Sequence, residues 1–175
     1  MSAELSRGQD IPLRTGDGDG LVRIRMGLGW RAARRRSLLD RLFPGRDGID
    51  LDASAVLFSD GRAEDVVYFH KLSSDDGSVR HSGDSLTGGA GAEDDEAIVV
   101  DLGRVPAAVD QIVFTVNSFT GRRFSEVGQA FCRLVDETTG RELARFTLAG
   151  GGAHTGQVMA KVARGGGGGG GGDRG

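Results

Sequence analysis

The chain has 175 residues, of which 27% are charged and 38% hydrophobic, with a net charge of only −3. That length holds one ordinary domain with a real core, and the near-balance of charge excludes a polyanion or polycation partner recognised through global charge. The single cysteine, Cys132, excludes an internal disulfide framework and fits a reducing compartment.

The first ten residues, Met1 to Asp10, are polar and carry no apolar h-region. No apolar run approaches the ~20 residues that span a bilayer, so no transmembrane segment is expected. The expectation is a soluble, cytoplasmic protein.

In chain order the dominant hydrophobic period is two. Val22, Ile24, Met26 and Leu28 alternate with Arg23, Arg25, Gly27 and Gly29, the pattern of a half-buried strand. Residues 31–47 follow as a basic insertion holding Arg31, Arg34, Arg35, Arg36, Arg41 and Arg46. The second strand is Leu51 to Phe58, with Leu51, Ala53, Ala55 and Leu57 facing the core. Val66 to Phe69 comes next, after the turn signal Ser59-Asp60-Gly61. Then come Ile98 to Leu102 and Ile112 to Val116. The clearest hairpin joins Ala130–Val135 to Arg141–Leu148 across Asp136 to Gly140. Seven or so short strands with Gly, Asp and Ser punctuation predict an all-β, antiparallel sandwich. One or two short helices are expected, at Arg31–Leu42 and Phe124–Gln129. Residues 1–164 form the domain, and the polyglycine tail, 165–175, is expected to be disordered because glycine buries nothing and loses the most backbone entropy.

Acidity is local. Between Ser82 and Leu102 stand Asp84, Glu93, Asp94, Asp95, Glu96 and Asp101, with no Lys or Arg among them. Upstream, Asp50 and Asp52 flank Leu51. Two apart on a strand, they share a face roughly 7 Å apart at the backbone. Unit charges 4 Å apart repel by ~4 kcal/mol at an effective dielectric near 20, so a folded cluster needs neutralising. Gly83, Gly88, Gly89 and Gly91 let the loop turn carbonyls inward, and Asp84, Ser85, Thr87, Asp94, Asp95 and Glu96 add side-chain oxygens. An all-oxygen set in an irregular loop suits Ca2+, one or two ions, better than magnesium. The alternatives are a solvated strand end and an acidic linker.

Other motifs carry less. Asp17-Gly18-Asp19-Gly20 is no EF-hand, because the twelfth position from Asp17 is Leu28. Gly27-Leu28-Gly29-Trp30-Arg31-Ala32 matches a dinucleotide fingerprint in spelling but lacks the βαβ unit that gives it meaning. No phosphate-binding loop or nucleophile elbow occurs. His70, His81 and His154 are far apart, which argues against zinc, and Cys132 alternates with Ala130 and Leu134 as a core residue. With no catalytic constellation, the chain is read as a non-enzyme. The arginine-rich insertion offers a different function, a module binding anionic lipid or nucleic acid, although no interleaved aromatics support a specific nucleic-acid contact.

Several ordered motifs resemble one family. They are Gly27-Leu28-Gly29-Trp30, Asp50-Leu51-Asp52-Ala53-Ser54-Ala55, Gly77-Ser78-Val79, His81-Ser82-Gly83-Asp84-Ser85-Leu86-Thr87-Gly88, Asp94-Asp95-Glu96, and Phe131-Cys132-Arg133-Leu134-Val135-Asp136. Together they resemble the tellurium-resistance TerD family. Asn117-Ser118-Phe119-Thr120-Gly121 and Gly152-Ala153-His154-Thr155 resemble its TerZ-like branch. The resemblance implies a calcium-binding β-sandwich without catalytic activity, acting in bacterial tellurite resistance and stress response. It implies partners among other Ter proteins, at the inner face of the membrane through a membrane component. Its metal motifs fall on Asp50, Asp52, Asp84 with its loop, Asp94, Asp95 and Glu96. Ser85 stands where the family has Asn, and Gly89 and Gly91 where it has further acids, which implies a weakened second calcium position. The C-terminal strand region reads as truncated, leaving an open sheet edge.

Overall fold

A computed structural model of the chain describes residues 3–4, 20–32, 50–83, 94–119, 121, 123–124, 127–148 and 153–164. Ten strands lie among these residues: β1 (Ala3–Glu4), β2 (Arg23–Ala32), β3 (Leu51–Ser59), β4 (Arg62–Val67), β5 (Val79–His81), β6 (Glu96–Asp101), β7 (Gln111–Ser118), β8 (Val127–Asp136), β9 (Arg141–Thr147) and β10 (Gly156–Ala163). They form a six-stranded sheet, β1-β9-β8-β2-β6-β5, and a four-stranded sheet, β10-β7-β3-β4. Pairing is antiparallel apart from β1, which runs parallel to β9. The expected all-β sandwich is what the chain adopts.

Alternation explains how the sheets stack. Ile24, Met26, Leu28 and Trp30 of β2 and Ala130, Cys132 and Leu134 of β8 point inward from the larger sheet. Leu51, Ala53, Ala55 and Leu57 of β3, with Ile112, Phe114 and Val116 of β7, meet them from the smaller one. Burying each large apolar side chain contributes roughly 1.5–3 kcal/mol, and this double layer is the main support of the fold. Cys132 belongs to the core, and burial pushes its thiol up to about 12.

Four features depart from expectation. Val127–Gln129 begins β8 rather than extending a helix, while Phe124 is fully buried and donates its N–H to His154 O (3.1 Å). Arg31 and Ala32 complete β2 instead of opening the basic insertion. The rest of the arginine-rich segment lies outside the described residues, as does the polyglycine tail. β4 starts at Arg62, four residues earlier than expected. A C-terminal strand, β10, pairs along β7 from Gly156 opposite Asn117 to Ala163 opposite Gln111, with a bulge between Val158 and Ala160.

Among the described residues no helix is long and apolar enough to cross a membrane.

Candidate metal-binding end

One end of the sandwich gathers the start of β3, the start of β6 and the end of β5. The tie between the two sheets here is Glu96. It faces inward, is 1% exposed, and its Oε2 accepts the N–H of Ala53 at 3.0 Å, 43 residues away in sequence. Ala53 lies two residues before Ala55, which is opposite Val67 at the end of β4. Where that neighbour strand stops, Glu96 replaces the missing ladder partner. The Ala53 carbonyl is served too, by His81 Nε2 at 3.1 Å.

The tautomer of His81 follows from its other contact. Gly83 N–H donates to Nδ1 at 3.0 Å, so the ring proton sits on Nε2, directed at Ala53 O with Glu96 Oε2 3.4 Å away. Gly83 has φ +106°, a backbone angle that glycine tolerates and other residues rarely adopt. The loop leaving β5 is therefore fastened at its first step. Ser82 adds a second fastening, its N–H on Ala97 O (2.8 Å) and its Oγ accepting Ala97 N–H (2.9 Å).

At the other end of the loop, consecutive acids go to different places. Asp95 donates its N–H to Leu28 O (2.8 Å) and accepts Trp30 N–H on Oδ2 (2.9 Å), continuing the β2–β6 pairing. Asp94 turns to the outer face of the larger sheet. Its side chain is 4% exposed and lies between Arg25 and Arg133, with Arg133 Nε 2.6 Å from Oδ1 and Nη2 3.2 Å from Oδ2, and Arg25 Nη1 on Oδ2. The Asp94 hydrogen bond is the main cause that raises the Arg133 pKa above its usual value, against the opposing effect of burial. Room for this comes from Gly27, where a Cβ would collide with the Asp94 carboxyl group. Gly29 does the same for Phe131, whose Cζ would lie 2.5 Å from an added Cβ. The two glycines once spelled like a dinucleotide fingerprint thus serve flat packing across β2.

Asp50 and Asp52 precede and open β3. Asp52, opposite Asn117 of β7, is on the outer face yet only 5% exposed, and Asp50 is half-buried. The Ala53–Glu96 bond puts these aspartates at the same end of the molecule as Asp95. Asp84, Ser85 and Thr87 lie outside the described residues. Among the described residues, no three His, Cys, Asp or Glu side chains are grouped so as to hold a metal by themselves. Carboxylates are oxygen donors, the chemistry that a hard cation such as calcium takes. Sequence reasoning missed His81, Arg25 and Arg133. An outward arginine on β2 and another on β8, beside glycines that leave the sheet face open, were the available signal.

Similarity to known proteins points the same way as the motifs. The TerD domain model matches residues 1–168. Tellurium resistance protein TerZ of Serratia marcescens is 47% identical over 161 residues, covering 91% of this chain and 82% of its own. Stress response protein SCP2 of Bacillus subtilis (strain 168) is 36% identical over 176 residues, covering 95% and 87%. A solved homologue of telluride resistance protein (TerD) from Streptomyces coelicolor A3(2) shares the fold with a TM-score of 0.65 at 24% identity, over 83% of this chain and 82% of that one. With the two-sheet architecture and these matches over most of its length, the chain belongs to the TerD domain family of tellurium-resistance and stress-response proteins.

Proposed function

We propose that this protein binds calcium at the acidic end of the sandwich and uses the ordered end to dock partners, with no catalysis of its own. The observation that carries the reading is the Ala53–Glu96 hydrogen bond, which joins the strand carrying Asp50 and Asp52 to the segment carrying Asp95. Asp50, Asp52 and Asp95, with Asp84, Ser85 and Thr87, are the residues that would hold the ion. Asp94 and Glu96 flank them and fasten the segment on either face. A bound dication would supply the positive charge that lets these carboxylates share one volume.

The partner surface lies beside the aspartates. Phe119 donates its N–H to Asp50 O (3.0 Å), its side chain is exposed, and its ring stands edge-on to Phe69 with centroids 5.6 Å apart. Tyr68 and His70 extend this aromatic group. An exposed Phe119 and His70 on half-buried Tyr68 and Phe69, next to a charge-controlled loop, suit a protein partner, for which other Ter proteins in the cytoplasm, at the inner face of the membrane through a membrane component, are the candidates.

Thermal denaturation in calcium and in chelator tests the metal. At 100 times its dissociation constant calcium adds ~2.7 kcal/mol, which raises the melting temperature by roughly 5–10 °C for a chain of this size. Superimposable melting curves would remove the reading. Phosphatase and nuclease substrates should remain unturned.

A further inference from the structure

We propose that Arg25 and Arg133 are positioning residues that pin the C-terminal end of the acidic loop through Asp94, presenting Asp95 to the cation and making Asp94 an anchor rather than a ligand. Both Asp94 oxygens carry guanidinium bonds, and the side chain is almost fully enclosed. With both oxygens committed to guanidinium groups, this carboxylate could take a dication only by giving up those bonds. The arginines come from neighbouring strands, with Arg133 directly opposite Gly27 in the β2–β8 ladder. Arg25 also holds Glu137 (2.8 Å), and Arg133 also reaches Glu142 (3.5 Å), so the pair is itself fixed on the sheet.

The consequence falls on the next residue. With Asp94 held down over Gly27, the backbone of Asp95 is set against Leu28 O and its carboxylate against Trp30 N–H. Outer-shell groups of this kind commonly alter metal affinity ~10–100-fold when removed. The affinity part of this inference rests on the calcium reading above; the anchoring part does not.

The two parts have separate readouts. Amide hydrogen exchange by NMR, without calcium, is compared between the wild type, the Arg25→Ala/Arg133→Ala double variant and Arg133→Lys, which keeps the charge but loses the forked grip. Anchoring predicts exchange at Asp95 and Trp30 faster by roughly tenfold or more in the double variant, and less in Arg133→Lys, with Phe114 little changed. Unaltered exchange at both amides would overturn it. Calorimetric calcium titration then gives the sign: an anchor predicts affinity reduced ~10–100-fold on removing the arginines, whereas affinity raised by their removal would overturn the proposal and make Asp94 a ligand. A wild type that takes up no calcium would defeat the functional reading, and the exchange result would still decide the anchor.

Discussion

The outer face of the six-stranded sheet and the acidic end of the sandwich both collect carboxylates, and they treat the charge differently. On the outer face guanidinium groups meet the acids: Arg23 with Asp101, Arg25 with Asp94 and Glu137, Arg133 with Asp94 and Glu142, Arg145 with Glu142. Arg145 also lies over the Phe131 ring, 4.3 Å from its centroid. At the acidic end the contacts are of another kind: Trp30 N–H on Asp95, Ala53 N–H on Glu96, and the His81 imidazole. Neutral amides orient a carboxylate without cancelling its charge. An excess of acid in the sequence therefore says little until the fold shows which acids meet arginine.

The sharpest way to break this contrast is at Glu96. Glu96→Ala leaves the Ala53 N–H without its buried acceptor, while His81 Nε2–H keeps Ala53 O, and such an orphaned group costs about 1–3 kcal/mol. Chemical denaturation should show a loss in that range, with Glu96→Gln, which keeps an acceptor oxygen, losing less. Equal, negligible losses would mean that Glu96 does not join the sheets.

A smaller effect comes from carboxylates held by donors nearby in sequence. Asp136 accepts the Thr139 hydroxyl (2.7 Å) and Thr138 N–H (2.9 Å), which hold its carboxyl below the usual 3.8. At Asp65 burial pushes the pKa up, but hydrogen bonds from Lys71 (2.5 Å), Asp75 N–H and Val66 N–H prevail and lower it. A depressed folded-state value contributes stability above the unfolded value near 3.8, and that contribution is lost as pH falls through the folded one. Asp136→Asn should be less stable than wild type at pH 7, with the gap narrowing as pH falls below 3.8. A gap unchanged with pH would refute the linkage.

Legibility in the sequence tracked alternation. β2, β3, β6, β7 and the β8–β9 hairpin were readable because one face of each is apolar and the other is not. β4 begins with Arg62, Ala63, Glu64 and Asp65, an exposed edge that carries charge where alternation would be sought. β5 is three residues long, too short for a period. In β10 a bulge beside Met159 breaks the alternation, and Val158 is exposed, so period alone marks no strand there. Phe124 is a core anchor before a strand, although it looked like the start of a helix. For the candidate site, residue type and local spacing exposed the acidic clusters and the shared face of Asp50 and Asp52. They could not reveal the arginines on Asp94, which depend on the β2–β8 register, or the bond from Ala53 to Glu96, which depends on where β4 stops.

The most direct test of the central claim is isothermal calcium titration of the wild type beside Asp50→Asn/Asp52→Asn. The account predicts that the wild type binds and that the double variant, still folded, loses affinity by roughly a hundredfold or more, the worth of about 2.7 kcal/mol. Equal affinities in the two proteins would contradict it.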